Sequence, residues 1–381
     1  MRTALYVHFP FCIRKCLYCD FNSLAGSEIS RKEYVAALLH EMKLRREDLH
    51  YELTASSLYF GGGTPSLLEP ELIARIIEAA QQLFALEPDA EITLEANPGT
   101  INREKLAAYH SIGINRLSLG VQSFSDTMLR RLGRVHTAID ASNAYQAARD
   151  AGFINISIDL IHSLPGQDRE LWLNDLDHLA AYRPEHISAY GLTIEDGTPF
   201  HAMMQKGEMS LPEEEESAVM FEQTSEVLRN AGYEHYEISN FSLPGHRSRH
   251  NQVYWKRTDY LGFGAGAHSF LSTSPFGCRW KNPENPEQYM QAVANGAASK
   301  EEFIIITKQE AMTERLFLGL RMMEGVDCGM FIKEFGVSIE DAFPSEFPKL
   351  ISDDLLELCL GNIRLTGKGL ILANQVVMRF V

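Results

Sequence analysis

Short apolar runs and longer amphipathic stretches alternate along the first half of the chain. Leu5-Tyr6-Val7-His8-Phe9 has the length of a strand, and Pro10 stops it. Residues 31–49 read as a helix with Tyr34, Leu38, Met42 and Leu49 near one face and Ser30 placed to cap it. Strands are predicted at 57–60, 92–95, 115–120, 154–160 and 186–192. Helices between them are predicted at 69–84, from about Asn102, at 127–132, at 138–151 and through Ala180. Strands and helices in this order imply parallel βαβ units with right-handed crossovers. Six units fall short of the eight of a closed barrel, so the expected fold is an α/β partial (β/α)6 barrel, open on one side.

The pattern changes further on. Pro212 followed by glutamates at 213–216 is a helix start, because proline fits the first turn and carboxylates favour the positive end of the dipole. Gly232 is its expected stop. A strand is expected over 233–241. The glycine-rich stretch 262–268 reads as backbone packed against a planar ligand or a neighbouring strand. It lacks the last glycine and the following acidic βαβ unit of a dinucleotide fingerprint. From about Ile304 helices dominate, at 310–323, 328–335 and 349–360, and 363–372 reads as a hairpin turning at Gly367 to Gly369. The division expected is residues 1–300, a barrel with a β-rich extension, and residues 301–381, a small helical, winged-helix-like domain.

Composition narrows the chemistry. A net charge of −16 over 381 residues argues against nucleic acid as a partner, which needs a basic face. Apolar residues make up 45% and charged residues 23%, ordinary for a globular protein, and no run approaches the roughly 20 apolar residues of a membrane span. No secretory n-region and h-region pattern stands at the N-terminus. Of six cysteines, three cluster as Cys12, Cys16 and Cys19, and Cys278, Cys328 and Cys359 are scattered. Clustered free thiols require a reducing compartment, so a cytoplasmic location is expected. Three thiolates at a strand end can hold one iron–sulfur cube and leave its fourth iron open. A structural zinc site is the alternative, with His8 the nearest fourth ligand. Gly61 to Thr64, Glu95, Gln122 and Asp159 also fall at strand C-terminal ends, the rim where ligands of parallel barrels bind. Taken singly, the glycines could be a flexible turn, Glu95 a solvated carboxylate and Asp159 a helix-end charge.

The segments CIRKCLYC, YFGGGTP, EANPGT, GVQSF, DLIHSLPGQ and HNQVYW, in this order, resemble the radical S-adenosylmethionine (SAM) proteins. The resemblance spans nearly the whole chain. It is closest to the branch that holds the oxygen-independent coproporphyrinogen III oxidases and the HemW-type haem chaperones. It implies a radical SAM barrel in which Cys12, Cys16 and Cys19 hold a [4Fe–4S] cluster and SAM chelates the open iron. It also implies that Tyr6 and Tyr18 lie against SAM and that the Gly62, Gly63 and Thr64 loop meets its amino group. Glu95, Gln122, Arg134 and Asp159 would then contact its polar groups, with Arg134 suited to the carboxylate and Gly191 near the adenine. Two departures separate the chain from the oxidases. Phe21 stands where they carry a further cysteine, and eleven residues precede Cys12 where they carry an arm over the substrate.

Spacing alone reads His250 and Asn251 as core hydrogen-bonding groups, with Tyr254 and Trp255 as packing. The resemblance instead implies that His250, Asn251, Tyr254 and Trp255 bind haem, with His268 a weaker candidate and His136 a loop residue near the SAM site. It further implies delivery of haem to a membrane respiratory cytochrome, at the inner face of the membrane, and a cluster-dependent homodimer.

Overall fold

A computed structural model describes residues 1–273, 275–296 and 301–380. The six expected strands are present: β1 (Arg2–Phe9), β2 (Thr54–Gly62), β3 (Glu91–Ala96), β4 (Arg116–Gln122), β5 (Ile156–His162) and β6 (His186–Gly191). They pair in parallel in chain order, and helices such as Arg31–Asp48, Pro70–Phe84, Ala138–Asp150 and Arg169–Tyr182 connect them. Their bounds lie within three residues of the apolar runs: β1 and β2 begin three residues earlier, while β2, β4 and β5 continue two residues into the polar rim. The outward residues of each strand (Leu58 and Phe60, Ile92 and Leu94, Leu117 and Leu119, Ile156 and Ile158) are buried with the helices in the larger core.

The inner face departs from ordinary barrel practice. Bulky aliphatic residues normally fill it. Here alternate positions are polar: Tyr59 on β2, Thr93 and Glu95 on β3, Arg116 and Ser118 on β4, Ser157 and Asp159 on β5, and His186, Ser188 and Tyr190 on β6.

Both edges of the six-stranded unit are extended. The run expected as one strand over 233–241 is two, β7 (Glu234–Glu237) and β8 (Asn240–Ser242), and β8 pairs antiparallel with β6. On the other edge β9 (Tyr260–Phe263) pairs in parallel with β1, followed by antiparallel β10 (His268–Leu271), β11 (Cys278–Lys281) and β12 (Glu301–Ile305). The result is a 12-stranded sheet ordered β12-β11-β10-β9-β1-β2-β3-β4-β5-β6-β8-β7. The glycine-rich stretch joins β9 to β10, and neighbouring chain explains it. A Cβ on Gly262 would stand 2.1 Å from the His268 carbonyl oxygen, and one on Gly264, where φ is +97°, 2.5 Å from that of His8.

A second core takes in Phe270 and then the chain from Ile306 onward; it holds the helices Lys308–Gly319 and Cys328–Phe335, with β13 (Val326–Asp327), β14 (Leu356–Cys359) and β15 (Asn362–Leu365) ordered β13-β15-β14. Two expectations fail in this region. The stretch 349–360 is a short helix, Phe347–Ser352, followed by β14, and the hairpin turns at Leu360 and Gly361, whose φ values are +51° and +85°. Gly367 to Gly369 opens a helix instead, capped by the Thr366 hydroxyl, which accepts the Gly369 amide. Glycine at 369 lets the helix lie on β14, since a Cβ would stand 2.0 Å from the Leu355 oxygen.

Candidate functional site

A cavity of about 360 Å³ opens at the C-terminal rim of β1 to β6, and its floor is the polar inner face of the barrel. The cysteine loop forms one wall. At its base Phe11–Cys12 pairs with Leu24–Ala25, so the loop leaves and returns at one point. At its tip the Leu17 amide donates to the Leu132 carbonyl (3.1 Å), and the Leu17 carbonyl accepts the Phe200 amide (3.0 Å). Asn22 ties the far side down by donating to the Ala265 and Glu284 carbonyls, and the His8 ring meets the Asn22 carbonyl at 2.8 Å. Contacts from five separated parts of the chain therefore fix the loop.

The thiols meet donors from neighbouring strand ends. Thr64 Oγ1 lies 3.5 Å from Cys12 Sγ, and Arg134 Nη1 lies 3.4 Å from Cys16 Sγ. Burial pushes the Cys19 thiol up to about 11, so a cluster would have to displace its proton. Among the described residues no three or more His, Cys, Asp and Glu side chains group around one ion position. A cubane needs no such point, because each thiolate takes a different iron.

Arg134 crosses from the thiols to the cavity. Its Nη2 donates to the Gly120 carbonyl at 2.6 Å, while its buried Nε has no partner among the described residues. An unpartnered guanidinium N–H beside a cavity suits a carboxylate. Deeper in, Tyr59 donates to Glu95 at 2.8 Å, and burial raises the Glu95 carboxyl to about 7. Asp159 accepts the hydroxyls of Ser118 (2.8 Å) and Ser157 (3.0 Å), and burial raises it as well. Two carboxyls with hydroxyl supports can accept hydrogen bonds from a ribose or an amine.

Of the expected residues, the cavity brings together Cys12, Cys16, Cys19, Tyr18, Gly62, Gly63, Thr64, Glu95, Gln122, Arg134, Asp159, Gly191 and Asn251. Packing within the chain accounts for two glycines expected to approach a ligand. A Cβ on Gly62, where φ is +107°, would stand 2.6 Å from the His8 ring, and one on Gly63 2.7 Å from the Phe11 oxygen. A Cβ on Gly191 would press on the His162 ring at 3.2 Å. Tyr6 stands behind Tyr59, its ring 6.2 Å away and its hydroxyl 3.1 Å from His8 Nδ1, and does not line the cavity. His136 is a loop residue beside the site, its ring nitrogens 3.1 Å from the Asn97 side-chain oxygen and from the Val121 carbonyl.

The HNQVYW stretch is part of a helix, Arg249–Trp255, capped by the Ser248 hydroxyl. His250 is 1% exposed, and both ring nitrogens are engaged, Nδ1 with the Ser57 hydroxyl and Nε2 with the Tyr254 hydroxyl, each at 2.9 Å. Its ring also stacks on Tyr59 at 4.9 Å, and burial depresses its pKa to about 3. Trp255 lies under the Arg321 guanidinium at 4.5 Å. Only Asn251 of the four reaches the cavity.

The lining also holds Tyr59, Arg116, Ser118, Ser188 and Tyr190, none of them expected there from the sequence. The signal was available: Arg116, Ser118, Gly120 and Gln122 recur at every second position of one strand, the period of a single face.

The comparisons agree with this geometry. The Radical SAM superfamily description matches residues 6–206, and the HemN C-terminal domain matches residues 306–372. A protein of Lactococcus lactis named Heme chaperone HemW is 35% identical, with 99% of this chain and 97% of that protein covered. Its namesake in Bacillus subtilis is also 35% identical, over 100% of this chain and 99% of that protein. Among solved structures, the coproporphyrinogen III oxidase (HemN) from Escherichia coli, described as a radical SAM enzyme, superposes with a TM-score of 0.83. That pair shares 26% identity over 100% of this chain and 90% of the other. The chain belongs to the radical SAM superfamily and, within it, to the HemW-type family.

Proposed function

We propose that the protein is a haem chaperone that carries a [4Fe–4S] cluster on Cys12, Cys16 and Cys19, binds SAM in the cavity beside it, and hands haem to a respiratory cytochrome. The observation that carries the choice of branch is Phe21. It stands two residues beyond Cys19, 60% exposed at the cavity edge, where the resemblance gives the oxidases a further cysteine. Relatives named as haem chaperones and aligned over nearly their whole length support the same choice.

The site residues suit the cofactors. Arg134 would turn its free Nε–H to the SAM carboxylate, and Glu95 and Asp159 would accept from its ammonium and ribose groups. Tyr59 and Ser118 hold those two carboxylates in place beforehand, which lowers the ordering cost of binding. When bound, the cluster supplies an iron open to SAM and a route for one electron. A cluster-dependent homodimer and a location at the inner side of the membrane belong to the same proposal. Among the described residues no helix is long and apolar enough to cross a membrane.

Full-length protein, reconstituted anaerobically with iron and sulfide, should bind hemin and leave coproporphyrinogen III unchanged. The second reading, the oxidase, draws on the fold match to HemN over the whole chain. Turnover of coproporphyrinogen III to protoporphyrinogen IX would establish that reading and reject the chaperone.

A further inference from the structure

If the protein handles haem, the buried His250 is a poor ligand, and a seat must be sought elsewhere. A second cavity of about 320 Å³ lies on the β9–β10–β11 face, where the barrel extension meets the C-terminal helix Lys308–Gly319. Tyr254, Tyr260 and Phe270 form an aromatic wall, with Tyr254 and Tyr260 edge to face at 4.7 Å and Phe270 6.4 Å beyond. Leu318 of that helix also lines the cavity. His268 opens β10 with its side chain exposed, and its ring makes no hydrogen bond among the described residues.

Cations complete the set. The Arg257 and Arg279 guanidinium groups lie over the Phe270 ring, at 4.7 and 5.7 Å. Glu314 accepts from both at 2.8 Å, yet the buried Arg279 Nε has no partner among the described residues. An available imidazole, aromatic faces and a guanidinium with a free N–H match the three chemistries of an iron porphyrin: the metal, the macrocycle and the propionates.

We propose that this groove seats haem, with His268 as axial ligand, Tyr254 and Tyr260 against the macrocycle, and Arg279, held over the buried Phe270 ring, on a propionate. The inference rests on the chaperone reading. The HNQVYW helix then serves haem indirectly: His250 anchors the Tyr254 hydroxyl from within the barrel, and Tyr254 presents its ring to the groove. His268 is ready to ligate, because burial and the nearby Lys281 and Arg279 lower its pKa and favour the neutral ring.

The test is a hemin titration of the full-length protein, with and without its cluster, read by the Soret band. His268→Ala should lose the imidazole-type spectrum and bind at least about tenfold more weakly. Added free imidazole should restore the spectrum, a rescue that a merely structural role would not allow. Thermal melts of the variant should match wild type, since the side chain is exposed. Arg279→Gln should weaken binding without moving the Soret maximum. An unchanged spectrum and affinity in His268→Ala, with wild type binding normally, would overturn this seat alone. Wild type that binds no hemin would overturn the chaperone reading itself.

Discussion

His250 is buried with both ring nitrogens engaged, and truncating it gives a sharp prediction. His250→Ala removes a ring with 1% exposure, a loss on the scale of about 3–5 kcal/mol for a buried aromatic. It also strips the Ser57 and Tyr254 hydroxyls of partners at 2.9 Å, each costing about 1–3 kcal/mol if left unpaired. The contributions overlap, because water entering the cavity can satisfy one hydroxyl, so a net loss of about 3–5 kcal/mol is expected. With a urea m-value of about 3 kcal/mol/M, the unfolding midpoint should fall by roughly 1 M or more. A control separates packing from ligation. Ser57→Ala should cost about 1–2 kcal/mol, and the double variant should cost less than the sum, since the Ser57–His250 pair is already broken. Hemin-bound His250→Ala should keep the wild-type Soret position at temperatures where it stays folded. A midpoint shift below about 0.3 M together with an altered Soret band would refute this account and make His250 a ligand.

Acid should destabilise the fold through its buried histidines. His136, His162 and His235 are held down to about 4 and His250 to about 3, all by burial. Their folded values lie below the ordinary 6.5, so stability is full above that pH and is lost as pH falls from 6.5 to 4, by up to about 3 kcal/mol for each group. Melting temperatures across this window should fall steeply, and a flat profile would count against the buried, neutral rings. Glu95 has the opposite sign. Its folded value of about 7 lies above 4.5, so its contribution is complete at low pH and disappears as pH rises through 7. Glu95→Gln should therefore stabilise the SAM-free protein at pH 8 by about 1–2 kcal/mol, have little effect at pH 4.5, and weaken SAM binding measured by calorimetry. Arg134→Ala removes the donor to Cys16 Sγ, and the reconstituted cluster should bleach faster on exposure to a chelator. Leu360→Gly relieves a fully exposed leucine at φ +51° and should stabilise the C-terminal unit by about 1 kcal/mol, visible as a raised melting temperature.

The barrel strands were legible because their apolar runs bury both helix-facing and ladder-paired surface, as at Leu117 and Leu119. Cys12, Cys16 and Cys19 were legible because three thiols within eight residues have few uses. The C-terminal hairpin was misread because its turn falls on Leu360-Gly361, with a leucine in the left-handed region where glycine or asparagine is expected, while Gly367 to Gly369 offered a stronger but false turn signal. The HNQVYW helix could not be placed from its letters. Histidine and tyrosine suit a ligand site and a satisfied core pair equally, and only the 2.9 Å contacts to Ser57 and Tyr254 separate the two. Arg116 escaped notice because an arginine at the start of a strand reads as solvated, whereas it is 2% exposed inside the barrel.

The pairing of β1 with β9 has a consequence for the order of events during synthesis. Ala4 to Val7 lie against Tyr260 to Phe263, and the Ala4 amide donates to the Asp259 carbonyl, partners some 250 residues downstream. At a ribosomal pace of about 5–20 residues per second, the first strand emerges on the order of ten to fifty seconds before the strand that covers its edge. Asn22, which pins the cysteine loop to the Ala265 and Glu284 carbonyls, waits for the same late segment. The thiols thus leave the ribosome first and reach their final arrangement last, so cluster loading should be a post-translational event. A ribosome-bound chain truncated before Tyr260 should retain no cluster even when iron and sulfide are supplied.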